Sequence, residues 1–242
     1  MISYEDRALR ELNEWKKRMR KKPSLINRAA KGTQNKMNEM LPDKYHEIMT
    51  LAIKNLTKTV LYGSEYITKP PLKHLPLAQR EALVREKAKL YKRTAMFEGA
   101  ATGAGGILLG LTDFPLLLSI KIKFLYDVAG IYGFDVRDYK ERLYILHIFQ
   151  LAFSSQENVN RVFEKMEKWE EYAAALPNDI NAFDWENFQK EYRDYLDLAK
   201  LLQLLPGIGA LVGLYVNGKL MEKLKKTAVQ SYRMRILDHE ND

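Results

Sequence analysis

Cysteine is absent from the 242 residues, which excludes disulfides, thiolate ligands and cofactors attached through sulfur, and fits a reducing compartment. Histidine is scarce: His46, His74, His147 and His239 are scattered, with no HxxxH spacing to set two imidazoles on one helical face, so no metal site is expected. A GxSxG elbow is missing, and without a cysteine nucleophile only dispersed serines remain; no catalytic residue and no cofactor is assigned. Runs of alternating apolar and polar residues are missing as well, so no strand is expected. The opening MISYEDRALRELNEWKKRMRKK lacks an apolar core, does not read as a secretory signal, and leads to the expectation of a protein kept in the cytoplasm.

What is present is a pattern of glycines. Gly99, Gly103, Gly106 and Gly110 fall within roughly 60° of a helix circumference. Glycine costs about 1 kcal/mol relative to alanine inside a helix, so four on one face call for a compensating close approach of a second backbone. Gly209, Gly213 and Asn217, with Ala210 beside them, supply a candidate partner stripe. The expected fold is therefore all-α, a multi-helix globular bundle organised around a central pair of Gly/Ala-rich helices.

Punctuation places the other helices. Ser3 and Asp6 resemble a capping box for a first helix to about Lys22; Ser24 caps a second through Met40; Pro42 opens a third that fades near Gly63. The stretch YITKPPLKHLP is the linker candidate, separating a basic N-terminal region, 1–68, from a helical core, 76–242, within one continuous domain. From Pro76 one long helix is expected to reach Gly110, with Thr112 or Asp113 capping the next, which ends at Gly133. Asp138 and Ser154 mark two further starts, the second helix running to Leu176; Asp184 caps one at Trp185, and Pro206 opens a last long helix.

The net charge of +8 is concentrated at the N-terminus, where Lys and Arg of residues 1–36 outnumber Glu5, Asp6, Glu11 and Glu14 by eleven to four. Leu9, Leu12, Trp15 and Met19 form an apolar edge beside Lys16, Lys17, Arg18, Arg20, Lys21 and Lys22, a combination suited to docking on an anionic membrane surface or a partner. An ordinary amphipathic helix with a solvated basic face has the same pattern. Residues 99–120 contain no Lys or Arg and one carboxylate, Asp113, but the punctuation at Thr112, Asp113 and Pro115 divides them into pieces too short to cross a bilayer. A buried core is expected there, with a membrane-inserted hairpin or shallow wedge as the competing reading.

Gly213 to Lys219 matches GxxxxGK, yet Leu220 stands where a magnesium-binding Ser or Thr belongs, so nucleotide binding is not expected. The polar residues beside the small-residue faces are Glu98, Thr102, Asp113, Asn217 and Arg233. A carboxylate from Glu98 or Asp113 is expected to meet Arg233 or Asn217, as structural pairing or as the wall of a ligand pocket.

The segment EGAATGAGGILLGLTDFPLLLSIKIKFLYDVAGIYGFD, the later LLPGIGALVGLYVNGKL and SYRMRIL resemble the EcsC protein family of bacteria over most of the chain. The specific parts are Asp113-Phe114-Pro115, Tyr132-Gly133-Phe134-Asp135, and Pro206 to Asn217 with Tyr232, Arg233 and Arg235. The family is named for an operon with an ABC transporter ATPase and its membrane subunit, linked to secretion and exoprotein processing. The resemblance implies an accessory role at the cytoplasmic membrane face, with an anionic membrane surface or a transporter complex as partner, and brings no catalytic residues. An enzyme or small-ligand binder using Asp113, Asn217 and Arg233 is the alternative; nucleic-acid binding ranks behind both.

Overall fold

Ser3 starts the first helix: its hydroxyl accepts from the Asp6 amide at 3.0 Å, and the Asp6 carboxylate accepts from the Ser3 amide at 3.2 Å, closing the capping box. The computed structural model describes residues 2–21, 43–62, 70–103, 107–154, 158–196 and 210–238. Its α-helices are α1 (Tyr4–Met19), α2 (Asp43–Tyr62), α3 (Leu77–Gly103), α4 (Ile107–Tyr132), α5 (Tyr139–Phe153), α6 (Val159–Glu167), α7 (Trp169–Ala175), α8 (Trp185–Tyr195) and α9 (Ala210–Leu237). The fold is all-α. No strand occurs among the described residues, where only an isolated bridge joins Ser154 to Leu196. The helix expected over Ser24 to Met40 lies outside them.

The most extensive helix contact among the described residues joins α3 to α9, followed by α3 with α4. Both pairs are antiparallel. Glu81 meets Arg233 and Lys92 meets Glu222 across the first; Lys87 meets Asp127 and Tyr91 packs on Phe124 across the second. Helix α2 runs parallel to α4: Val60 accepts from the Tyr126 hydroxyl at 2.7 Å, and Ala52 lies beside Pro115. The end of α3, the starts of α4 and α9 and the first half of α2 therefore share one end of the bundle. The sequence marked the start of α5 at Asp138 but not its burial: residues 143–153 are all buried. A helix apolar on all sides needs neighbours all round, and α5 is packed by α2, α4, α6 and α9.

Two boundaries correct the sequence reading. Asp113 and Thr112 do not cap a helix: α4 already begins at Ile107, and Pro115 lies within it. Pro115 is exposed, so water reaches the turn where its missing N–H breaks the ladder. Ser154 ends a helix rather than starting one; its hydroxyl donates to the Gln150 carbonyl at 2.6 Å, and the chain to Leu176 is divided into α6 and α7 at Lys168. Asp138 and Asp184 act as expected, accepting from the amides of Lys140 at 2.9 Å and Asn187 at 3.2 Å.

Residues 70–76 of the linker candidate are pinned. The Arg80 guanidinium donates to the carbonyls of Leu75 (2.7 Å), Leu72 (2.8 Å), Lys73 (3.0 Å) and Ile131 (2.8 Å), tying this segment to the end of α4. Gly133 follows with φ +93°, and a Cβ there would stand 2.9 Å from Arg80 Nη1 and 3.1 Å from the Leu72 carbonyl oxygen. Both the backbone angle and the space demand glycine.

Candidate functional site

The apolar edge of α1 is consumed by the core. Ala8, Leu12 and Trp15 are buried, and the Trp15 ring meets Phe163 edge-on at 5.4 Å. Trp15 is thus no docking anchor, because its indole already fills the space against α6. Lys16 pairs with Asp238 at 2.5 Å and Arg20 with Glu167 at 2.6 Å, while Lys17, Arg18 and Lys21 are exposed. Lys22 lies outside the described residues.

Arg233 is not matched by Glu98 or Asp113. Its guanidinium donates to both Glu81 oxygens, Nε to Oε1 at 2.6 Å and Nη2 to Oε2 at 2.7 Å, and through Nη1 to Glu11 at 2.7 Å. Tyr4 donates to the same Glu81 at 2.7 Å. Burial opposes the charge on Arg233, but the Glu81 and Glu11 hydrogen bonds outweigh it and hold the pKa above the ordinary value. Two residues on, Arg235 meets Glu141 at 2.5 Å, and Glu141 also accepts from Tyr232 at 2.7 Å. The Arg235 guanidinium lies 3.9 Å from the Phe134 ring centroid and 4.7 Å from that of Tyr144.

Asn217 belongs to a different place. It is sixteen residues from Arg233 on α9, about 24 Å by helical rise, so the two do not line one pocket. Asn217 is fully buried and accepts from Lys121 Nζ at 3.5 Å; the same amine reaches the Leu117 carbonyl at 3.4 Å. Both contacts are long for an N–H···O bond. Desolvation drives the Lys121 pKa down to about 7, so near neutrality the amine is divided between charged and neutral forms. Of the other candidates, Glu98, Gly99 and Gly103 have their backbones in α3, Gly110 and Asp113 in α4, and Gly213 in α9; Gly106 and Gly209 lie outside the described residues.

Glu81, Glu11, Glu141 and Lys121 were not among the site candidates read from the sequence. Glu81 and Lys121 had a signal, each being a charge set within an apolar helical stripe, at Leu77–Val84–Ala88 and at Leu117–Leu118–Leu125.

Two surface features remain. A 420 Å³ groove between α3 and α4 is lined by Leu72, Leu83, Leu90, Tyr126 and Ile131, with the Lys87–Asp127 pair on its edge. Towards the shared end of α2, α3, α4 and α9, eight and nine residues in from the starts of α2 and α4, Leu51 and Leu116 are 58% and 46% exposed. Residues 99–112 and 201–218 carry no charged side chain, and a belt of exposed cations lies behind that end: Lys54 and Lys58 on α2, Lys89 and Arg93 on α3, Lys219 and Lys226 on α9. No helix among the described residues is long and apolar enough to cross a membrane.

The model of the EcsC protein family matches residues 6–237. The chain belongs to the EcsC family. It is 43% identical over 230 residues to Protein EcsC of Bacillus subtilis (strain 168), covering 95% of this chain and 94% of that one. A second relative from the same organism, Uncharacterized protein YdbA, is 24% identical over 189 residues, covering 78% of this chain and 68% of that one. No solved structure matches significantly. The EcsC-like residues Tyr132, Gly133, Phe134, Tyr232, Arg233 and Arg235 come together here: Tyr132 stacks on Tyr232 at 5.1 Å, and Phe134 meets Tyr232 in a tilted contact at 5.2 Å. Their visible work in this EcsC chain is to lock α9 to α3, α5 and the end of α4.

Proposed function

We propose that this chain is a non-enzymatic accessory protein of the cytoplasmic membrane face, acting beside an ABC transporter or another secretion-related membrane complex. The observation that carries the proposal is the belt of exposed cations on α2, α3 and α9 next to an end with exposed leucines. Each Lys or Arg held near an anionic leaflet contributes about 1 kcal/mol, so several acting together suffice for reversible attachment. Exposed Lys17, Arg18 and Lys21 on α1 would add to that attraction. The resemblance to a family named for a transporter operon supplies the membrane complex.

An enzymatic role based on Arg233 has lost its support, since that guanidinium is occupied by Glu81 and Glu11. The Gly-rich stripes remain the proposed seam between α3 and α9. Fractionation of cells at low and high salt, with cross-linking, tests the reading. Salt-sensitive recovery with membranes and a cross-linked membrane protein is expected; full solubility at both salt levels without such a cross-link overturns it.

Ligand binding is the second reading, favoured by the α3–α4 groove, whose volume and largely apolar wall suit a small amphiphile. Native mass spectrometry of the purified chain should then show a retained molecule that is lost when Leu83→Trp fills the groove.

A further inference from the structure

We infer that the groove between α3 and α4 holds a single-chain amphiphile with an anionic head, its tail towards Leu72, Leu83 and Ile131 and its head at Lys87. The inference rests on the ligand reading of the groove above and adds the chemical class of the ligand and its direction.

Gly130 lies in the last turn of α4, on the groove wall, with no structural reason to be glycine. Its φ is not positive, and a Cβ there would meet no described heavy atom within 4 Å. Alanine would favour the helix more, so what the missing side chain provides is open space in the groove. The neighbouring wall is held in place: the Leu72 amide donates to the Gly130 carbonyl at 2.8 Å, and Arg80 donates to the Leu72 carbonyl at 2.8 Å. Leu72 and Leu90, 39% and 58% exposed, both line this groove, where an alkyl tail would take them out of water. At about 30 Å³ for a water-sized group, 420 Å³ holds on the order of a dozen methylenes, enough for one alkyl chain and too little for the two of a phospholipid.

Charge names the head. Where the antiparallel helices face each other, residues 86–93 of α3 carry Glu86, Lys87, Lys89, Lys92 and Arg93, and residues 123–130 of α4 carry Lys123 and Asp127. Lys92 is engaged by Glu222, while Asp127 accepts from Lys87 at 2.9 Å and from Tyr91 at 3.0 Å, with Lys123 3.8 Å away. Lys87, Lys89, Arg93 and Lys123 thus stand against Glu86 and Asp127, an excess of positive charge. Of these cations Lys87 lines the groove, and its ammonium has three donors, of which Asp127 takes one. Glu86 shares the rim but is exposed, where water and salt screen its repulsion. Ile131 lies one turn beyond Asp127, so a tail leaving Lys87 in that direction runs onto the apolar wall.

The test titrates the purified full chain, by calorimetry, with dodecanoate and with dodecyltrimethylammonium, each below the concentration at which it aggregates. Dodecanoate should bind at one site at least about tenfold more tightly than the cation. Gly130→Leu, a good helix former that fills the open space, should abolish this site with the melting temperature unchanged or raised; Leu83→Trp fills it from α3 and should do the same. Lys87→Gln should weaken dodecanoate about fivefold and leave dodecyltrimethylammonium unchanged or tighter, whereas a merely structural role would weaken both. Equal or tighter binding of the cation overturns the inference and leaves the ligand reading of the groove standing. Dodecanoate binding that survives both filled variants lies elsewhere and overturns it as well. If neither amphiphile binds, the inference falls, and the ligand reading falls with it when native mass spectrometry also shows no retained molecule.

Discussion

Arg233 and Glu81, 152 residues apart in sequence, meet through two contacts of 2.6 and 2.7 Å with both side chains almost wholly out of water. This bidentate pair joins α9 to α3, and Glu11 closes it from α1. Its worth lies less in net attraction than in the penalty for leaving either member alone.

Arg233→Met should therefore destabilise the chain by about 3–5 kcal/mol, since Glu81 is left as an uncompensated buried charge. The double variant Glu81→Met with Arg233→Met should recover more than half of that loss. Urea unfolding measures both; equal losses in the single and double variants would show that packing rather than charge is at issue.

Lys121 predicts an unusual alkaline dependence. Its folded pKa of about 7 lies below the unfolded value of 10.5, so the unfolded chain binds more proton throughout that interval and stability rises with pH. Between pH 7 and pH 9 the gain is about 2 kcal/mol by linkage. Lys121→Met should be more stable than the parent at pH 7 and should lose the slope. Above about pH 10 the buried tyrosines, whose pKa values burial raises, reverse the trend.

Gly133→Ala forces a Cβ onto the Arg80 guanidinium at a backbone angle that only glycine adopts without strain. A loss of about 2 kcal/mol is expected from the angle and the displaced contact together. Hydrogen exchange should show loosening first at the Leu72 amide, which donates to Gly130 beside this turn.

Trp15→Ala should cost about 3–5 kcal/mol of stability, the range for emptying a buried aromatic site. A docking anchor would instead lose vesicle binding with its melting temperature intact, so a melt and a binding curve on one sample decide the matter.

Much of the fold was legible in the sequence, because caps and breakers are local. Ser3, Asp138, Asp184 and Gly133 mark boundaries by hydrogen bonds or dihedral angles that span a few residues. Ser154 misled because the same hydroxyl can cap a helix start or bond back to Gln150, and only tertiary packing chooses. The partners of Arg233 were illegible for a similar reason. Glu98 lay near the glycine stripe in sequence, yet the antiparallel register of α3 and α9 sets Glu81 opposite Arg233. Trp15 beside a basic run has the same pattern whether its apolar side meets lipid or protein, and Phe163 across the gap is what decides.

The clasp of α1 on α9 has a consequence for biosynthesis. Glu11 and Lys16 each find their partner 222 positions further along, at Arg233 and Asp238. The opening helix leaves the ribosome long before either partner has been made, so these two ion pairs cannot close until α9 has followed, although Phe163 is available to Trp15 earlier. Closure of the α1–α9 clasp thus waits on the synthesis of α9, and a nascent chain stalled before α9 should be a client for chaperones.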